Sequence, residues 1–382
     1  MSFKTKILSS ITQIAPSTWN ALCDSSYPFI RHEFLLALEL SGCTTSKTGW
    51  TPYHLTLYKE DLLIAVMPMY QKNHSNGEYV FDWDWANAYA RHQLPYYPKL
   101  LCAIPFSPCY GARIASRLPL QEILPFIRQS IVNICETQHF SSWHGLFFNS
   151  QDTHQLQQHQ FLTRKGLQYH WHNQDYTSFE HYLEHFTSRK RKGIKRERRI
   201  VAQQEIKISA LEGPHIDKHT LREFYHCYHL TYLKRGRQGY LNEEFFARLI
   251  ETMPEQIVLF VARHNEHTVA CAWCFKNTDP TDSVLYGRYW GCLDNFDNLH
   301  FETCYYQGLE YCIKHKIARF DPGAQGEHKI QRGFTPINTY SSHYIKHPQF
   351  SDAIEDFLSR EDIAIEDYKQ QLTSLLPFKQ TN

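Results

Sequence analysis

The chain has 382 residues, of which 42% are apolar and 15% aromatic, with 40 basic and 39 acidic side chains and a formal charge of +1. That balance is globular and excludes extensive disorder, and the length exceeds what one core usually organises, so two domains are expected. No run approaches the roughly 18 apolar residues of a membrane span, and the start MSFKTKILSSITQIAPSTWN lacks a signal core, which together predict a cytoplasmic protein.

The elements follow in chain order. YHLTLYK (Tyr53–Lys59) and LLIAVMPMY (Leu62–Tyr70) alternate as a hairpin over Glu60-Asp61, and EYVFDW (Glu78–Trp83) is read as a third strand. The stretch from Asp84 to Pro119 is a long insertion rich in aromatics and proline. Its Trp85, Lys99 and Arg113, with Trp83 just before it, offer aromatic walls and cations for a ligand cleft. Leu120–His139 reads as a helix and GLFFN (Gly145–Asn149) as the closing strand. After a break near Tyr176, FEHYLEHF is expected to run into SRKRKGIKRERR as one long helix.

Between Arg189 and Arg199 that helix carries eight basic side chains against one acidic, a local +7 that leaves the remainder at −6. Such concentration points to a polyanionic partner. Arg189, Lys192, Arg196 and Arg199 share one helical face at spacings of three and four, and are the candidate phosphate or tRNA contacts. A solvated charged face is the competing reading. Helices are expected at Lys218–Lys234 and Asn242–Thr252. The loop joining them places Arg235 and Arg237 among glycines, where a phosphate-bearing ligand fits.

IVLFVAR (Ile257–Arg263), TVACAWCFK (Thr268–Lys276) and SVLYGRYWG (Ser283–Gly291) read as three strands. HFETCYYQGLEYCIKHK (His300–Lys316) has helical period, and ARFD (Ala318–Asp321) closes a β-β-β-α-β unit. The first half shows the same order without sequence identity. Alternation puts Tyr286 and Arg288 on one face and Tyr289 on the other. DPGAQGEHKIQRGF (Asp321–Phe334) combines three glycines with Gln325, Glu327, His328, Lys329 and Arg332, a composition that lets backbone and cations approach an oxyanion. Glu302 is either a site acid or a first-turn acid favoured by the helix dipole. Ser351–Leu375 is a terminal helix.

No Walker loop, nucleophile elbow or zinc-binding helix appears, and Cys271-x-x-Cys274 has no second pair, so no metal and no tightly held cofactor is expected. The eleven cysteines are read as reduced, core-forming thiols.

Two β-β-β-α-β units in one chain resemble the FemABX peptidyltransferases of the GNAT superfamily. HWHN, SRKRKGIKRERR, LYGRYWG, HFETCYYQGLE and PGAQGEHKIQRGFTP are similar to FemAB-like proteins, predicted N-acyltransferases related to peptidoglycan biosynthesis. The resemblance implies an α+β fold of tandem GNAT-like domains, at 1–176 and 177–345. Residues 346–382 would supply a terminal helix packing back on the first domain. It further implies an N-acyltransferase with its substrate in a cleft between the domains. The partners implied are an amine-bearing acceptor such as a peptidoglycan precursor, and tRNA, but not DNA. Aminoacyl-tRNA and acyl-CoA remain alternative donors, and a non-catalytic recognition protein for a cell-wall precursor or nucleotide sugar remains an alternative function. By the same resemblance Lys329 or Arg332 is the cation near the reacting carbonyl. Tyr289 is the cleft tyrosine, and Arg235 and Arg237 meet precursor phosphate. CLDNFDNLH (Cys292–His300) is acidic and lacks the glycines of a CoA pyrophosphate loop, which disfavours acetyl-CoA.

Overall fold

The computed structural model describes residues 3–379 apart from Ser25, Thr278, Pro280 and Gln325. The chain forms two compact units, one of Met1–Leu167 with Asn338–Tyr368, the other of Gln168–Ile337 with Lys369–Asn382.

In the first unit, Phe3–Leu8, His54–Lys59, Leu62–Met67 and Ala115–Ser116 pair antiparallel in that order. The expected hairpin is present, and Glu60 at its turn has φ 56°. The helix Leu120–Thr137 buries Ile123, Ile127 and Ile131, spaced one turn apart, with Leu57, Ile64 and Trp143 in one apolar cluster. Ser142–Phe148 pairs parallel with Lys99–Cys102 and antiparallel with Tyr340–Ile345.

Glu78–Trp83 is not a strand. Tyr79 has φ 63°, which no strand tolerates, and Glu78 and Asp82 both turn inward onto the Lys99 ammonium. Trp83 instead opens a helix, Trp83–Arg91, and the supposed loop beyond it holds the strand Lys99–Cys102. The terminal helix Pro348–Ser374 buries Ile354 and Leu358 against Trp85, Tyr89 and Tyr96. Arg164 binds Glu361 at 2.7 Å and Lys165 binds Asp362 at 2.8 Å beside it.

In the second unit Ile206–Glu212, Ile257–His264, His267–Lys276 and Val284–Cys292 form an antiparallel run, and Arg319–Asp321 continues it in parallel. The hairpin turn tightens to Asn265 and Glu266, both at positive φ, as a two-residue turn matching strand twist requires. Helices Lys218–Leu233 and Glu243–Thr252 start at Asp217 and Asn242, whose side chains accept the backbone N–H of Thr220 and Phe245. Phe224, Phe246 and Trp273 pack ring to ring beneath them. Gly291 lets the first of these helices close on the sheet, since a Cβ there would lie 2.1 Å from the Cys227 carbonyl carbon.

The expected single long helix is two, Phe179–Glu184 and Ser188–Gln203. Phe186 leaves the helical path to form a bridge with Phe378, and Thr187 donates its N–H to the Pro377 carbonyl at 2.9 Å. That pairing spends the backbone groups that would have continued the helix.

Candidate functional site

The site in the second unit starts from a short ladder. Val284–Cys292 and Arg319–Asp321 run parallel for three pairs only, ending at Tyr286 opposite Asp321. On its other edge Val284–Cys292 slips register, with Trp273 opposite Tyr289 but Cys274 opposite Gly287, so Arg288 is the extra residue of a bulge. A bulge re-aims a side chain. The guanidinium still lies over the Tyr286 ring, 5.2 Å from its centre, so the expected pairing of Arg288 with Tyr286 is kept.

The Arg288 guanidinium spans the fork where the ladder ends. Its Nη2 meets Asp321 Oδ2 at 2.5 Å and its Nη1 meets Oδ1 and the Asp321 carbonyl, each at 3.2 Å. Both side chains are buried, and the Gly323 N–H also donates to Asp321 at 3.0 Å. Burial alone would raise the Asp321 carboxyl. Arg288, with His170 whose Nε2 lies 3.6 Å away, outweighs it and holds the group well below the usual carboxylate range.

A cavity of about 240 Å³ opens at this fork. Rings of Tyr228, Tyr232, Trp273, Tyr289, Trp290 and Tyr305 wall it, and Arg235 and Arg288 supply its cations. His300 and Cys304 also face it. They come from a helix that is α at Leu299–Phe301, π-helical at Glu302–Tyr306 and α again at Gln307–Lys314. Wide single turns of this kind recur at functional sites. Burial pushes the His300 imidazole down to about 4, helped by His328, Lys329, Arg332 and Arg235.

Lys329 is buried in the turn Glu327–Arg332, donates to the Gly323 carbonyl at 2.6 Å, and has its Nζ 6.0 Å from the Tyr305 ring centre. Burial, only partly opposed by Asp321, brings its ammonium down to about 7. His328 is exposed and shares a 2.9 Å hydrogen bond with the Tyr305 hydroxyl, while Glu327 is exposed. Gln325 lies outside the described residues.

Other expected site residues sit elsewhere. Arg332 stacks 3.5 Å over Phe301, pairs with Glu197 at 2.8 Å and donates to the His328 carbonyl. Glu302 is buried against Arg198 at 2.9 Å and accepts from Gln307, facing a second cavity of about 410 Å³ instead. Tyr286 is buried on its strand and Arg237 is exposed on its loop. In the first unit Trp83 is exposed and Trp85 buried. Lys99 is enclosed by Ser75, Glu78 and Asp82, and Arg113 by the carbonyls of Cys109, Gly111, Ala112 and Leu146, so neither cation is open to a ligand.

On the basic helix Arg189, Lys192, Arg196 and Arg199 are all exposed. Lys190, Glu197 and Arg198 turn inward, to Gln331, Arg332 and Glu302. The sequence missed His300, Tyr305, Tyr228 and Trp273. The first two lay in the string HFETCYY, five residues apart, read only for its helical period.

Three of the solved structures that share the fold illustrate it. The C-terminal domain (DUF2156) of a candidate lysylphosphatidylglycerol synthetase from Agrobacterium fabrum matches at TM-score 0.54 and 8% identity, over 89% of this chain and 94% of that one. A conserved protein of unknown function from Bacteroides thetaiotaomicron matches at 0.52 and 9%, over 89% and 99%. L-PGS from Bacillus licheniformis matches at 0.50 and 11%, over 85% and 96%. The fold class is α+β, with two compact units that each combine sheet and helices. No curated protein matches the chain. The sequence profile of one family covers residues 10–380, and the chain belongs to that family, FemAB-like, described as peptidoglycan biosynthesis/recognition.

Proposed function

We propose that this chain is an N-acyltransferase that moves an aminoacyl group from an activated ester to an amine acceptor, with a peptidoglycan precursor as the acceptor class. The observation that carries the reading is the fork cavity, where a bulged strand and aromatic walls meet and the Lys329 ammonium lies behind them, 6.0 Å from the Tyr305 ring centre. An activated ester needs little from side chains beyond orientation and a stabilised oxyanion. Tyr289 orients substrate in this reading, and Lys329 supports the developing charge.

Transfer from an aminoacyl-tRNA mimic to precursor amines tests it, with acyl-CoA as the competing donor. Lys329→Ala is expected to lower kcat by about 10²–10³-fold, the scale of losing one oxyanion donor. Undiminished transfer by that variant overturns the role of Lys329.

In the same reading the basic helix holds donor phosphates. Changing Arg189, Lys192, Arg196 and Arg199 to Gln is expected to weaken tRNA binding. It should also flatten the slope of log K against log salt by about 0.7–0.9 per lost contact. An unchanged slope removes the helix from the binding surface.

A further inference from the structure

The fork cavity is an aromatic cage, and such cages ordinarily hold cations. Its surroundings argue for the opposite occupant. No carboxylate lines it among the described residues, and the acid beside it, Asp321, is fully committed to Arg288. The charged groups around it are Arg235, Arg288, Lys329 and Arg332, with Asp321 and Glu197 each already paired to an arginine. The titratable neighbours His300, His328, Cys304 and Tyr305 carry no negative charge at neutral pH.

Among the described residues, His300 and the buried Trp273 indole N–H face the cavity without a hydrogen-bond partner. The His300 ring packs on Trp290 at 5.2 Å and on Tyr305 at 5.3 Å, and among the described residues neither ring nitrogen has a hydrogen-bond partner. An uncharged imidazole nitrogen is an acceptor, suited to an N–H.

We propose that this cavity binds a primary amine in its uncharged form, the nitrogen seated among the aromatic rings with one N–H donated to His300. The inference rests on the acyltransfer reading only for its purpose, which is that the acceptor arrives already nucleophilic.

Two effects compete. Cation–π attraction favours the ammonium modestly, whereas desolvating it without a counter-ion costs more than that attraction returns. Lys329 gauges the outcome, because the same neighbourhood brings its ammonium from 10.5 to about 7. A ligand amine placed beside it meets the same bias.

In the reaction the amine nitrogen attacks the ester carbonyl carbon. Its lone pair forms the new C–N bond, the ester C–O bond breaks, and one N–H proton leaves with the departing oxygen. Ester and amine become amide and alcohol.

The test needs no knowledge of the natural acceptor. n-Butylamine and butyltrimethylammonium are titrated into the full chain, with the fluorescence of Trp273 and Trp290 as the readout and Trp290→Phe to assign the signal. Expected is binding of butylamine alone, with affinity for total amine rising about a hundredfold from pH 7.5 to 9.5, ten per unit as free ammonium gives way to amine. His300→Gln should weaken it. Affinity independent of pH, binding of the quaternary ion, or no binding of butylamine at pH 9.5 overturns the proposal. If the chain transfers acyl groups yet holds the quaternary ion, this inference fails and the acyltransfer reading stands. If it binds butylamine as stated but transfers from no donor, the reverse holds.

Discussion

Asp321→Ala is expected to destabilise the second unit by about 3–5 kcal/mol, the cost of leaving a buried cation without its partner. Arg288 and Asp321 are 1% and 0% exposed, so no water replaces the lost carboxylate. Arg288 also closes the fork over the candidate cavity, and its loss of anchorage should abolish small-molecule binding there. Urea unfolding of the second unit, followed by hydrogen exchange, measures the change. The double variant Arg288→Met/Asp321→Leu should recover most of the stability but none of the binding, since an apolar pair of similar volume often replaces a buried ion pair at little cost. A loss under 1 kcal/mol for Asp321→Ala would show that the pair is solvated.

Acid should act on the same unit almost as strongly. His170, held down to about 3, and His300, held down to about 4, are kept neutral first by burial, and in the first unit His144, held down to about 3, and His343 behave alike. A group whose folded pKa is depressed below about 6.5 in the unfolded chain contributes its full stability above that value. As pH falls below 6.5 the unfolded imidazole takes a proton that the folded one refuses. Each costs about 1.4 kcal/mol per pH unit, or about 2 kcal/mol at pH 5. His170 and His300 together therefore remove about 4 kcal/mol from the second unit. In the first unit Glu78, raised to about 7 mainly by burial, takes up a proton while folded and offsets part of the loss. Hydrogen exchange at pH 7.5 and 5.0 should show the second unit losing protection more steeply. His170→Gln and His300→Gln should flatten that dependence. Equal protection of the second unit at both pH values would contradict it.

What the sequence disclosed was local. Alternation located the strands Ile257–His264, His267–Lys276 and Val284–Cys292 to within a residue or two, and helical period located Lys218–Leu233 and the terminal helix. Three of the errors came from a partner elsewhere in the sequence. Phe186 is drawn out of a helix by Phe378, which lies almost two hundred residues away. Glu78 and Asp82 abandon an extended pattern for Lys99. Glu302 looked available until Arg198 was found on it. The bulge at Arg288 leaves no composition signal, since strand and bulge use the same residues there. His300 was overlooked for the opposite reason, because its string already had a structural explanation.

The bridge at Phe378 also governs how this chain can be cut. Residues 377–379 bind His185, Phe186 and Thr187 at the foot of the basic helix. The second unit is thus assembled from an internal stretch plus the last few residues, and the first from both flanks of that stretch. A fragment spanning only Gln168–Ile337 would carry the fork cavity but lose the strand-like clasp under its helix. Cloning one unit intact requires joining two separate segments, and no single proteolytic nick can release either.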